Sequence, residues 1–287
     1  MVANGRLSEN SFRNYQRLSW IVRPMFGKLS QIAVQDQTYA QRFVDLGAES
    51  ESVTVTGNLK YDSIETSRSN PKTESCRQVA TDVGFESDSL VFVAGSTQIE
   101  DERAAVEAWV TLRSTFPDLK LILVPRHPQR ADETVSLLEE KGFTANRRSS
   151  TSIVESDVLI VDVIGELSGW WGMADVAFVG GSMGSRGGQN MIEPAAFGAP
   201  VCFGPNTVNF KTTVEGLLAC NAAKVVLNST ELAAFATEML SSDSNRKSMG
   251  KSAQAFVLKN RGAVGQTASL VFSTMSGGTV FPIDRVA

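Results

Sequence analysis

Apolar residues in the second half of the chain come in short runs: Leu90 to Ala94, Leu119 to Val124, Val158 to Asp162, Val176 to Val179 and Pro200 to Phe203. Each is too short for a helix and apolar at successive rather than alternate positions, the pattern of strands buried on both faces. The stretches between them follow a helical period. Val106, Trp109 and Val110 fall at i, i+3 and i+4, and Leu232, Phe235, Ala236, Met239 and Leu240 continue the same rule. Strands alternating with helices predict a parallel sheet covered on both sides, a doubly wound α/β domain from about Asn70 to Leu258.

The first part is sparser in strands. After Arg6 the pattern predicts a helix to about Leu29, broken near Pro24, and then a buried strand over Gln31 to Gln35. Asp36 is placed to cap a helix running to Leu46, and Gly47 stands where a helix end favours positive φ. Val53 to Thr56 alternates β-branched residues and predicts a strand ended by Gly57-Asn58. Ser63 to Thr73 is polar, with one proline, and marks a boundary. Two strands cannot make a covered parallel sheet, so Trp20, Ile21, Phe26 and Leu29 are expected to expose apolar surface.

Composition narrows the classes. The chain has 287 residues and a net charge of -4, which gives no general attraction to polyanions, and no basic patch points to a nucleic-acid partner. Three cysteines, an odd number without a CxxC, exclude a disulfide framework and a zinc site. No apolar run is long enough to span a membrane. Ser19 to Leu29 mixes aromatic, basic and apolar residues; the proline favours a half-buried helix over a membrane-surface one.

Parallel α/β sheets bind ligands at the carboxyl ends of their strands. There the sequence places Gly95-Ser96-Thr97, Pro125-Arg126-His127-Pro128, Gly165-Glu166-Leu167, Gly180-Gly181-Ser182, then Ser185 through Asn190 into Glu193, and Gly204-Pro205-Asn206. Glycine lets backbone N–H groups approach an anion, so Gly180-Gly181-Ser182 and Arg186-Gly187-Gly188 are candidate phosphate contacts, although neither is a Rossmann GxGxxG or a Walker loop. Glu193 is suited to accept hydrogen bonds from ribose hydroxyls, and equally to sit at a helix N-terminus for the dipole alone. Arg126 offers a two-point clamp for phosphate or carboxylate. His127 is the sole histidine, stiffened between prolines, with no triad partner identifiable.

Taken in order, these blocks resemble the 3-deoxy-D-manno-octulosonic acid (Kdo) transferase family: Gly5-Arg-Leu-Ser8, Val53 to Asp62, Gly95-Ser-Thr97, Leu121 to Pro128, Gly165-Glu-Leu167, Ala174 to Ser182, Arg186-Gly-Gly-Gln-Asn190, Glu193-Pro-Ala-Ala196 and Phe203 to Phe210. The resemblance implies a GT-B glycosyltransferase: a doubly wound Rossmann-like C-terminal domain binding the donor, paired with a Rossmann-like N-terminal domain, here incomplete. It implies residues 1–62 as a remnant of the acceptor-side domain, 63–260 as the nucleotide-sugar domain and 261–287 as a C-terminal helix and tail. The donor would be CMP-Kdo and the acceptor a lipid A precursor, with no cofactor or metal. Peripheral association at the cytoplasmic face of the inner membrane follows from the family, and the oligomeric state is left open.

The implied substrate-binding set is Lys60, near the interdomain cleft, with Ser96, Thr97, Arg126, His127, Gly165, Glu166, Leu167, Ser182, Arg186, Asn190 and Glu193. The family commonly has histidine where this chain has Gln98, Gln189 and Asn206, which keeps hydrogen bonding but removes titration. Its proposed general base lies in sequence preceding the Arg-Leu-Ser block, and this chain starts at Met1, so the expectation is an incomplete catalyst with no catalytic residue assigned. Alternatives are an inactive module that binds CMP or a CMP-sugar, and a GT-B enzyme using a UDP-sugar, such as lipid-A-disaccharide synthase or a UDP-GlcNAc epimerase.

Overall fold

The computed structural model describes residues 1–275 and divides the chain into two compact units: Met1–Ile64 together with the residues from Leu258 onward, and Glu65–Val257. The C-terminal helix, expected as a segment of its own from residue 261, thus groups with the first unit. Of the helix and tail expected over 261–287, residues 276–287 lie outside the described residues.

In the first unit, strands β1 (Val2–Gly5), β2 (Ile32–Val34) and β3 (Val53–Val55) form a parallel sheet in that order. β1 was not legible: it is four residues, Val-Ala-Asn-Gly, without an apolar run, and Asn4 sits at φ 54°. The helix expected from Arg6 to Leu29 is two, α1 (Glu9–Arg17), whose first turn donates Ser11 N–H to Ser8 Oγ, and α2 (Ser19–Phe26). The break falls at Leu18, with φ -108° and ψ 26°, not at Pro24. Pro24 lies inside α2, where it cannot donate the helical bond to Trp20 O, yet the helix continues through it to Phe26.

The 22, 26, 29 face of α2 and its C-terminal turn packs against Phe43, Ile32 and Val34, with Phe26 edge-on to Phe43 at 5.3 Å. Phe26 and Leu29, expected to be exposed, are therefore partly covered; Trp20, at 75% exposure, and Ile21 lie on the outward face with Met25. Asp36 accepts from Tyr39 N–H to start α3 (Gln37–Asp45), and Gly47 follows its end at φ 101°.

The second unit carries the long sheet. Asn70 caps α4 (Pro71–Asp82), and there follow β4 (Val91–Thr97), α5 (Ile99–Leu112), β5 (Lys120–Pro125), α6 (Ala131–Glu139), β6 (Asn146–Arg147), β7 (Val158–Ile160), α7 (Leu167–Trp171), β8 (Val176–Val179), α8 (Ile192–Ala196), β9 (Val201–Phe203), α9 (Lys211–Ala219), β10 (Ala223–Val225), α10 (Ser229–Ser241) and α11 (Asp243–Lys259). The chain ends, as far as it is described, in α12 (Ala263–Met275) of the first unit.

The seven strands are parallel in the order β10-β9-β8-β4-β5-β7-β6. β6 and β10 are short edge strands with charged residues, Arg147 and Lys224, and left no apolar run to read. On one face Phe92, Ala94, Leu121, Leu123 and Phe178 meet Trp109 of α5 and Phe235 of α10; on the other, Val91 and Val93 are just as buried. From β4 the chain winds outward through β5 to β6 at the edge, steps back to insert β7 between them, then returns to lay β8, β9 and β10 on the opposite side. The winding reverses between β4 and β8, which is where such sheets open a crevice.

Candidate functional site

All strands being parallel, their carboxyl ends share one edge of the sheet, and the loops expected there are there. β4 differs in detail: Gly95-Ser96-Thr97 is not a loop after the strand but its last three residues, with Ser96 at φ 55° and a register shift between Gly95 and Thr97. Gly95 has to be glycine, since a Cβ would stand 2.4 Å from Trp171 Cζ2 of α7. Thr97 is fully buried and its hydroxyl bonds Glu102 Oε1 at 3.2 Å, so it braces α5 rather than facing a ligand. Ser96 is half-buried at the edge.

Arg126 follows β5. Its backbone N–H donates to Thr97 O at 2.9 Å, fixing the residue, while its exposed guanidinium has no partner among the described residues. His127 beside it is likewise exposed, with a side chain that has no partner among the described residues. The neighbouring Arg130 is committed, bonding buried Glu102 at 2.8 Å and pairing with Glu133. After β7, Gly165 takes φ 94°, and Glu166 is gripped at both oxygens by Arg148 at 3.0 and 2.9 Å. Leu167 opens α7, its Cδ1 lying 2.7 Å from where a Cβ on Gly95 would fall.

The loop after β8 changes the expectation most. The N–H groups of Gly181 and Ser182, in the loop expected to meet a phosphate, are already donated, together with that of Met183, to the Asp101 carboxylate at 2.6, 3.2 and 2.9 Å. Ser182 Oγ donates to Val179 O and accepts from Gly204 N–H, and the residue is fully buried, so the hydroxyl joins two strand ends and is spent. Neither Thr97 nor Ser182 therefore has a side chain free for substrate. Asp101 and Glu102 were missed, yet a signal existed. Asp101 stands three residues after Gln98 in the first turn of a helix, the capping-box position, and it accepts Gln98 N–H at 2.8 Å.

Further along, Gly187 and Gly188 take φ 90° and 85°, and Gly188 N–H turns back to Gly181 O at 2.7 Å. The exposed Arg186 guanidinium has no partner among the described residues. Asn190 Nδ2 donates to Glu193 Oε1 at 2.8 Å, and Asn190 Oδ1 accepts Ile192 N–H at 3.2 Å, so the amide is oriented by α8 and in turn orients the carboxylate. Burial pushes the Glu193 carboxyl above its ordinary value, against the opposing pull of Asn190 and Lys72. Gln189 lies over Gly181, and Asn206 ties the β9 loop to the β8 loop through Ser182 O and Met183 O. A cavity of about 440 Å³ opens between those loops, lined by Ser185, Gly187, Asn206, Val208 and Lys211 among others. Lys60 belongs to the first unit, on the turn Leu59–Tyr61.

An edge with two uncommitted guanidinia, an oriented carboxylate and a cavity suits an anionic, hydroxyl-rich ligand such as a nucleotide sugar. Solved structures agree on the class. A glycosyltransferase from Rickettsia africae superposes with a TM-score of 0.60 at 15% identity, over 96% of this chain and 69% of that one, a likeness of fold alone. The fold is that of the GT-B glycosyltransferases.

Sequence goes further. The 3-deoxy-D-manno-octulosonic-acid transferase (kdotransferase) family model matches residues 1–63. The 3-deoxy-D-manno-octulosonic acid transferase of Haemophilus influenzae is 31% identical over 94% of this chain, which spans 63% of that relative's length. The C-terminal CMP-Kdo binding domain of WaaA from Acinetobacter baumannii matches at 26% identity with a TM-score of 0.60, covering 65% of this chain and 97% of that domain. Over nearly all of its length the chain is similar to Kdo transferases, and it spans less than two thirds of the length of these curated relatives.

Proposed function

We propose that the second unit binds CMP-Kdo at the carboxyl edge of its sheet and that the protein transfers Kdo from this donor to a hydroxyl of a lipid A precursor, in lipopolysaccharide synthesis. The observation that carries the reading is the Asn190–Glu193 pair, a carboxylate with one oxygen held at 2.8 Å, on the same sheet edge as the guanidinia of Arg126 and Arg186, which have no partner among the described residues. In this reading Glu193 accepts the ribose hydroxyls and a guanidinium takes the phosphate. Transfer breaks the bond between the anomeric carbon of Kdo and the phosphate oxygen while the acceptor oxygen bonds that carbon and loses its proton. The departing CMP gains negative charge, which a fixed guanidinium stabilises more than it stabilises the donor.

A lipid acceptor also calls for work at a membrane surface. Among the described residues no helix is long and apolar enough to cross a membrane. The exposed Trp20 and Met25 of α2, near Arg17, Arg23 and Lys28, support peripheral association at the cytoplasmic face of the inner membrane. Incubation with labelled CMP-Kdo and the lipid A precursor tests the proposal. It predicts Kdo-lipid and free CMP in equal amounts, with turnover of Arg126→Ala lower by about 100-fold. Transfer from a UDP-sugar instead, or none from CMP-Kdo, would overturn it.

A further inference from the structure

Successive backbone N–H groups aimed at one point are a common way of holding a phosphate. In this protein that point is filled from within. The Asp101 side chain is fully buried and accepts the N–H groups of Gln98, Gly181, Ser182 and Met183, and it has no ion-pair partner among the described residues. All four of these donors are backbone N–H groups, three from the loop and one from the start of α5. A phosphate seeking the same N–H groups would have to displace a carboxylate.

The far side of the loop is equally committed, since Asn206 N–H donates to Ser182 O at 2.9 Å and Asn206 Nδ2 to Met183 O at 3.2 Å. From this clamped segment the chain leads directly to the candidate binding residues. Gly188 N–H bonds Gly181 O, the Gln189 side chain packs over Gly181, and Asn190 and Glu193 follow within one turn.

We infer that Asp101 is a positioning residue of the nucleotide site, its carboxylate standing in the anion place of the Gly180–Met183 loop so that the loop aligns Asn190 and Glu193 and leaves the donor's phosphate to side-chain cations. The inference rests on the reading of the crevice as a CMP site, and it adds a division of labour: the glycines build the frame, and the guanidinia meet the phosphate.

Amide NMR of the full chain, with hydrogen exchange and CMP titration, tests it. In the wild type, CMP should perturb the Asn190 side-chain amide and the Glu193 backbone strongly and leave the N–H protons of Gly181, Ser182 and Met183 nearly unmoved. Asp101→Asn, which puts an NH2 where an acceptor was needed, should speed exchange at those three amides and weaken CMP binding, each roughly tenfold or more. Asp101→Glu keeps the charge and should recover part of both, and it serves as the working variant if the asparagine form does not fold. Largest CMP shifts at Gly181 to Met183, or an Asp101→Asn protein with wild-type exchange and affinity, would overturn the inference. If the wild type binds no CMP, the CMP reading fails by itself, and the exchange rates at Gly181 to Met183 still decide whether Asp101 holds the loop.

Discussion

The chemistry of the site turns on which polar side chains are already spent. Thr97 and Ser182 have hydroxyls that the sequence offers to a ligand, and each is buried and used to join neighbouring elements. Glu193 is different, because only one of its oxygens is held, by Asn190, and burial pushes its carboxyl above the ordinary 4.5. The sign follows from linkage. A carboxyl raised on folding favours the protonated form, so its contribution to stability is full below the ordinary glutamate value and is lost as pH rises through the raised one. Glu193→Gln should therefore be at least as stable as the wild type at neutral pH, as a thermal melt would show. Ribose hydroxyls donate to the ionised form. Wild-type affinity for CMP should then fall, as pH is lowered through the raised value, more steeply than that of Glu193→Gln, in which the phosphate and the cytosine ring of CMP still titrate but position 193 does not. Parallel pH profiles would remove Glu193 from the site.

Elements were legible where one local signal dominated. The five apolar runs became β4, β5, β7, β8 and β9, and Asp36 and Gly47 bound α3 as their chemistry requires. The misses have separate causes. β1, β6 and β10 are held by neighbours rather than by pattern, and Leu18 ends α1 without a breaker residue. The start of α12 falls close to the expected residue 261, but its cap comes from far away in sequence. Asp62 accepts Gly262 N–H and Val264 N–H at 2.5 and 2.7 Å, within the first unit. Asp62→Ala should lose about 0.5–2 kcal/mol of capping, seen as faster hydrogen exchange over 263–275. Unchanged exchange there would show that Thr267, bonded to Thr56, and the apolar face of α12 hold the helix without its cap.

For the whole molecule, the order β10-β9-β8-β4-β5-β7-β6 could not be read from the chain, but its consequence could, since parallel strands gather every candidate loop on one edge. What the sequence hid was the interior of that edge. A buried carboxylate such as Asp101 looks like one more acid in the Glu100-Asp101-Glu102 helix start until the loop 80 residues away folds onto it. The likeness to relatives extends over 94% of the chain, yet the chain spans 63% of the length of the Haemophilus influenzae protein, so the step proposed for the second unit by itself is the binding of CMP. Titration calorimetry with CMP and UMP, on the wild type and on Glu193→Ala, tests that claim most directly. The account predicts tighter binding of CMP than of UMP and a loss of about 1–3 kcal/mol on CMP in Glu193→Ala; equal affinity for the two nucleotides, or no loss in the variant, would contradict it.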